Sequence, residues 1–248
     1  MDIKTEQFLP IDVNIQIADL GLFIKPEKTL VIADLHLGIE EMYNKQGIMI
    51  PRTNFEDIKH RLKHIFEILK PKQVVINGDL KHEFGEISKQ EWREVLTMLD
   101  FISEQTKDVI LVKGNHDTIL GPLANRKGLD ILEEFYIKRH NLLILHGHKP
   151  SESEKFKEAS SMIIAHEHPA VSIREAGRSE LYKCFLKGKL YDKTLIVMPS
   201  MNSVAIGSNI LREKILSPFL QQDLSSFECW AVEDKPYYFG NLKNLMIQ

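Results

Sequence analysis

Cysteine is nearly absent from this chain: Cys184 and Cys229 are the only two in 248 residues, and neither stands in a CxxC spacing. That excludes a disulfide scaffold and a thiolate zinc ribbon, and two unpaired, partly buried thiols in a reducing compartment are expected. No apolar run approaches the roughly 18 residues of a membrane span, and Met1–Glu6 carries no apolar core of the signal-peptide kind. A cytoplasmic protein with no membrane partner is expected. A strong charge of one sign is also missing, since 32 Lys and Arg against 35 Asp and Glu leave a net −3. Binding of nucleic acid by bulk positive charge is thereby excluded, whereas a local basic groove is not. Repeats, low-complexity segments and linkers are lacking, so the economical reading is one domain spanning 1–248.

What is present is an alternation of apolar runs and amphipathic stretches. Thr29-Leu-Val-Ile, Gln73-Val-Val-Ile-Asn77 and Asp108-Val-Ile-Leu-Val112 read as buried strands. Between them, Phe55, Ile58, Leu62, Ile65, Phe66 and Leu69 share one helical face after a capping box at Thr53–Glu56. A second box, Ser88–Glu91, opens a helix with the stripe Trp92, Val95, Leu96, Leu99 and Ile102. Strands this continuously apolar predict a parallel sheet covered on both faces, with the site at the carboxyl ends. An opening hairpin is expected over Val13–Ile24, and Leu37–Pro51 reads as a long loop. After Gly121-Pro122 the reading turns to strands: a hairpin over Phe135–Leu145, a short helix within 151–160, then a second, mainly antiparallel sheet. The fold class is therefore α/β, a four-layer α/β/β/α sandwich of two mixed sheets.

Polar groups collect where the apolar runs end. Asp34 and His36 follow the first, Gly78-Asp79 the second and Gly114-Asn115-His116-Asp117 the third; His146-Gly-His148 and His166-Glu-His168 follow later ones. Residues two apart on an extended chain point the same way, so Asp34 and His36 are expected to converge. Any one of these could be a buried polar residue satisfied by hydrogen bonds. Six imidazoles and several acids at one edge would be costly unless something positive organised them. Two divalent cations meet that need, and Asp79, beside a glycine that permits close approach, is the best bridging carboxylate. Asn115 offers an amide oxygen. Such a centre favours a phosphate anion and activates a water for in-line attack at phosphorus. His60 and His64 lie on the polar face of their helix and read as solvated.

The order Asp-X-His, Gly-Asp, Gly-Asn-His-Asp, His and His-X-His resembles the five-part signature of the calcineurin-like metallophosphoesterases, across residues 34–168. Within that family the chain is most similar to small prokaryotic enzymes related to the nuclease subunit of DNA-break repair complexes. The resemblance implies Asp34, His36, Asp79 and His168 on one metal, and Asp79, Asn115, His146 and His166 on the other. It implies His116 as the general acid and Asp117 as the group that orients it. One departure is Ala165, where the family usually has glycine. Strand Leu142–Leu145 feeds directly into His146, and motif order also favours it over His148, which is left beside the site or facing substrate. His82, three residues after Asp79, stands between a surface histidine and a substrate contact. Mn²⁺ is the first choice of metal, with Fe, Zn²⁺ and Ni²⁺ as alternatives.

The expected reaction is hydrolysis of phosphodiesters of nucleotides or nucleic acid. A phosphomonoesterase and a non-catalytic scaffold are the alternatives, and His116 argues against the scaffold. The stretch Arg174–Lys193 interleaves Arg174, Arg178, Lys183, Lys187, Lys189 and Lys193 with Tyr182, Phe185 and Tyr191. It suits either phosphate contact with base stacking or an ordinary solvated hairpin. Arg52 and the loop Pro199-Ser-Met-Asn202 are further candidates for the rim.

Overall fold

Short apolar runs with turn residues between them build the first sheet. The computed structural model of the protein describes residues 8–85, 88–106, 108–175 and 178–246, so Met1–Glu6 lies outside the described residues, as does the side chain of Glu175. Strands β1 (Pro10–Asp12), β2 (Ile15–Ala18), β3 (Gly21–Ile24) and β4 (Thr29–Ile32) form an antiparallel meander. Helices α1 (Ile39–Lys45) and α2 (Asn54–Leu69) lead from β4 to β5 (Gln73–Asn77), and α3 (Lys89–Gln105) leads to β6 (Asp108–Val112). Helix α4 (Gly121–Lys127) then leads to β7 (Ile131–Leu132). Strands β4 to β7 run parallel, and the spatial order of all seven follows the sequence.

The second sheet holds β8 (Glu134–Ile137), β9 (Leu142–Leu145), α5 (Glu154–Glu158) as a connection, β10 (Ser161–Ile164), β11 (Pro169–Glu175), β12 (Arg178–Leu190) and β13 (Lys193–Val197). It is completed by β14 (Ser208–Asn209), β15 (Glu228–Val232) and β16 (Pro236–Asn241), and α6 (Leu242–Met246) follows. The order is β14-β11-β12-β13-β10-β9-β8, with β15 on the other edge of β12 and β16 beyond it. The sheet is mixed and mainly antiparallel, as expected: β9, β10 and β13 are parallel neighbours at its centre, and β11 to β13, β15 and β16 pair antiparallel around them.

Period-two alternation decides how the layers stack. Ile144, Ile163, Phe185 and Ile196 point into a core shared with Leu30, Ile32, Val74 and Ile76 of the first sheet. Their neighbours Leu143, Leu145, Met162, Ile164, Leu195 and Val197 point the other way, into a second core closed by Phe219, Leu220, Leu242 and Leu245. On the far side of the first sheet the helices bury Ile58, Leu62, Ile65 and Phe66 of α2 with Val95, Met98, Leu99 and Ile102 of α3. His60 and His64 are exposed, on the face opposite that stripe. The two sheets thus pack face to face with helical cover outside, which is the expected sandwich.

Two local readings differ from expectation. Ser88 caps α3 by accepting the Glu91 N–H at 3.1 Å, but Thr53 makes no side-chain cap bond to α2. The carboxylate of Glu40 instead accepts the Asn54 N–H at 2.8 Å, because α1 forms inside the stretch read as a loop and carries Glu40 to that helix end. Neither α1 nor α4 was expected; at 7 residues each, they are too short to show a stripe.

Candidate metal centre

The chain does not remain extended past β4. Asp34 and His36 both take left-handed backbone angles, φ 54° and 45°, and so do Asp79 (48°), His166 (69°) and His168 (49°). Such angles cost non-glycine residues on the order of 1–3 kcal/mol each and persist only where the surroundings impose them. Here the imposition is visible: Asp34 N–H donates to Gly78 O, His36 N–H to Asp79 O and Leu37 N–H to Leu80 O. The loops after β4 and β5 therefore continue pairing beyond the sheet while their side chains turn inward. Convergence of Asp34 and His36 comes from this paired loop and not from a strand.

Close approach of the loops needs glycine at two places. A Cβ on Gly78 would lie 2.2 Å from His146 Nδ1, and one on Gly114 would lie 2.0 Å from Asp79 Oδ1. Ala165, by contrast, sits fully buried outside the left-handed region, donating its N–H to His146 O at 2.9 Å.

The expected residues meet in two sets. Asp34, His36 and His168 form one, and Asp79, His146 and His166 the other, each with ligand atoms within 4.8 Å of one another. In the first set His168 Nε2 lies 3.3 Å from Asp34 Oδ1 and 3.3 Å from His36 Nε2. In the second, His146 Nε2 lies 3.2 Å from Asp79 Oδ2 and 3.1 Å from Asn115 Oδ1. Asp79 Oδ2 is also 3.9 Å from His36 Nε2, which places this carboxylate between the sets. Ligands about 2.0–2.1 Å from a tetrahedral ion are separated by ~3.3–3.4 Å, so these spacings fit divalent cations. A further sign is Asp34 Oδ1, which is buried and makes no hydrogen bond; such an atom is costly without a positive partner.

Electrostatics prepare the same groups. Burial pushes the Asp34 carboxyl up, but His168 and His146 opposite it hold it below the usual carboxylate range. Asp79 is likewise pulled down against its burial, by the hydrogen bond and charge of His146. Burial takes His36 down to about 3 and His166 to about 4, leaving both neutral with lone pairs available. For His146 burial works downward, yet its contact with Asp79 and the nearby Asp34 raise it to about 9. Its Nδ1 donates to Asn77 O at 3.0 Å, so Nε2 faces the site.

His116 lies beside the sets with Nε2 3.9 Å from Asp79 Oδ2. Its Nδ1 is held by the carbonyl oxygen of His82. Both Asp117 oxygens accept backbone N–H groups: Asp79 at 2.8 Å and Gly114 at 2.9 Å on Oδ2, and Leu80 at 3.2 Å on Oδ1. Asp117 fixes the loops that carry Asp79 and Asn115, and burial with the nearby Asp79 charge raises it to about 6. His82 belongs to the site and not to the open surface, its Nδ1 3.3 Å from His36 Nδ1. His148 is in neither set but packs beside the second, its ring centroid 5.3 Å from that of His146 and 6.0 Å from that of His166, and it lines a neighbouring cavity of about 470 Å³ with Glu133, Lys149 and Ser151.

The site opens into a cavity of about 350 Å³ whose rim includes Ile39 and Tyr43 of α1, Ser200, Asn202 and Ala205. The 199–202 loop does reach the site: Ser200 Oγ donates to Asp34 O at 2.8 Å and Asn202 Nδ2 to Leu35 O at 3.3 Å. Arg52 pairs with Glu41 at 2.8 Å. The basic and aromatic stretch of 174–193 does not form one groove. Lys183 Nζ reaches Ala205 O, whereas Lys187 Nζ bonds Ile11 O and Lys193 Nζ bonds Lys157 O, near the opposite strand ends. Three supporting residues were missed. Asn54 Nδ2 donates to Leu35 O, Glu91 Oε1 accepts the N–H groups of His82 and Glu83, and Glu167 Oε2 accepts those of Leu216 and Ser217. Only Glu167, enclosed by two histidines of the motif, had a signal in the sequence.

Comparison with known proteins gives a concordant picture. The family model described as calcineurin-like phosphoesterase matches residues 27–199. No curated protein sequence matches. Among solved structures, the nuclease MPE of Pseudomonas putida is similar at 17% identity and a TM-score of 0.66, over 94% of this chain and 100% of that one. Vps29 of Chaetomium thermophilum matches at 13% identity and 0.42, over 85% and 94%. The phosphoesterase YfcE of E. coli matches at 14% and 0.39, over 81% and 86%. No helix among the described residues is long and apolar enough to cross a membrane.

Proposed function

We propose, from the premise that the chain belongs to the calcineurin-like phosphoesterase family, that it is a two-cation hydrolase of phosphodiesters in nucleotides or nucleic acid. The observation that carries this reading is the gathering of Asp34, His36 and His168 against Asp79, His146 and His166 from four separate loops. Asp34, His36, Asp79 and His168 would hold one cation, and Asp79, Asn115, His146 and His166 the other. Bound there, the cations would supply positive charge for the phosphoryl oxygens and acidify the attacking water. Mn²⁺ suits a set of imidazole, carboxylate and amide donors that lacks thiolate.

The chain's own groups do the rest. The ionised Asp34 and Asp79 and the neutral His36 and His166 are ready as ligands, and His146 must release the proton it shares with Asp79. His116 donates Nδ1–H to the His82 carbonyl, which leaves Nε2 facing the cavity. In the imidazolium form Nε2 carries a second proton, which passes to the leaving oxygen as the phosphorus–oxygen bond breaks and leaves His116 neutral with its proton on Nδ1. Support for a diester, nucleic-acid-type substrate comes from the open cavity, from Tyr43 and Phe84 near its mouth as stacking surfaces, and from the fold shared with the nuclease MPE.

The test is turnover of bis-p-nitrophenyl phosphate, p-nitrophenyl phosphate, dinucleotides, cyclic nucleotides and single-stranded DNA, with Mn²⁺ and after chelation. Diester turnover that exceeds monoester turnover and vanishes on chelation is expected. A strong monoester preference would reverse the substrate assignment, and no turnover with any metal would leave a scaffold.

A further inference from the structure

His36, His82 and His116 form a third group, with ligand atoms within 4.8 Å of one another, that neither set above accounts for. We propose that these three imidazoles make a separate site for a soft divalent cation, Zn²⁺ above all, whose occupation inhibits the enzyme. His82 Nδ1 and His36 Nδ1 are 3.3 Å apart, the separation expected of two nitrogens on one tetrahedral zinc, ~3.3 Å for bonds of about 2.0–2.1 Å. The His116 ring lies 4.8 Å from that of His36 and 5.3 Å from that of His82, centroid to centroid. Its Nδ1 is taken by the His82 carbonyl, so Nε2 is the atom it can give. All three residues line the open cavity, which provides entry and leaves the fourth position to water.

The donor chemistry separates this group from the other two. It holds no carboxylate, so it selects zinc, copper or nickel over manganese, whereas each of the others includes an aspartate. His36 presents Nε2 to His168 and Nδ1 to His82. With cations on both sides its imidazole bridges them, and its remaining N–H proton passes to solvent. Repulsion between neighbouring cations makes the third the weakest bound. An ion on His116 Nε2 occupies the lone pair that must carry the proton to the leaving oxygen. This inhibition rests on the reading of His116 as the acid; the third ion itself does not.

The experiment counts Zn²⁺ per chain by equilibrium dialysis and elemental analysis for the wild type, His82→Phe and His116→Ala. His82→Phe keeps a flat ring beside His116 but offers no nitrogen. Three ions are expected on the wild type and two on each variant. In the Mn²⁺-loaded enzyme, Zn²⁺ should inhibit the wild type, and the concentration for half-inhibition should rise at least tenfold in His82→Phe. Saturation of the wild type at two ions, or a third ion retained by His82→Phe, overturns the proposal and leaves the two-cation reading standing. Fewer than two ions on the wild type overturns both.

Discussion

The two sheets contribute unlike halves to one site. The loops of the first supply every carboxylate of the two sets, Asp34 and Asp79, together with His36, Asn115 and His116; the loops of the second supply only imidazoles, His146, His166 and His168. Cross-sheet bonds hold the halves in register: Asn77 Nδ2 to Leu145 O at 3.0 Å, His146 Nδ1 to Asn77 O at 3.0 Å and His166 N–H to Asp34 Oδ2 at 3.2 Å. The first half holds the negative charge, and the second closes it with groups that can be neutral. Neither half by itself completes either of the two carboxylate-bearing sets, since each takes ligands from both sheets. Binding of the two cations would therefore be a consequence of the sheets having packed.

The sharpest way to break the comparison is to remove its shared member. Asp79 touches groups of both halves, so Asp79→Ala should lose both cations and fall to the activity of chelated protein, as elemental analysis and turnover would show. His166→Ala removes a ligand from the second half alone. It should keep one cation and lose on the order of 10³-fold in turnover, several kcal/mol of transition-state stabilisation. Equal metal loss in the two variants would erase the distinction between shared and one-sided ligands. His116→Ala lies in the first half but in neither set. It should retain both cations under Mn²⁺ while the turnover number falls ~10²–10⁴-fold; wild-type turnover would end its assignment as acid.

Titration sharpens the comparison further. Burial, aided by neighbouring imidazolium charge, holds His36 near 3 and His82, His148 and His166 near 4, below the ordinary value of about 6.5. Groups depressed on folding contribute stability that is full above about pH 6.5 and is lost as pH falls through about 4. His146 is opposite in sign: raised to about 9, it contributes below about pH 6.5, and that contribution is lost as pH rises through 9. Thermal melts of the metal-free chain from pH 4 to 10 should show a steep acid limb and a shallower alkaline one. A flat acid limb would contradict the neutral, buried imidazoles. The smallest effect belongs outside both halves: His60→Ala, on the exposed face of α2, should change stability by less than about 0.5 kcal/mol and leave metal content unchanged.

Much of this was legible without coordinates. The runs Leu30-Val-Ile32, Val74-Val-Ile76 and Val109–Val112 are too apolar for anything but strands buried on both faces, and the helical stripes of α2 and α3 account for their cover. The positions of Asp34, His36, Asp79, Asn115, His116, His146, His166 and His168 at strand ends followed from where those runs stop. Periodicity could not show that Asp34, His36, Asp79, His166 and His168 turn left-handed, because pairing between loops imposes that conformation. It could not separate His82 from a surface histidine, since that outcome depends on which loop lies opposite.

Sequence alone determined the donor inventory and the order in which the chain presents it, because residue type and apolar period are local properties. Tertiary structure alone decided which nitrogen of each imidazole faces the site and which backbone N–H groups the Asp117 carboxylate accepts. Those are matters of distance between segments remote in the chain, as with His36 and His168, 132 residues apart and 3.3 Å between nitrogens. Only the packing of one sheet upon the other sets such a distance.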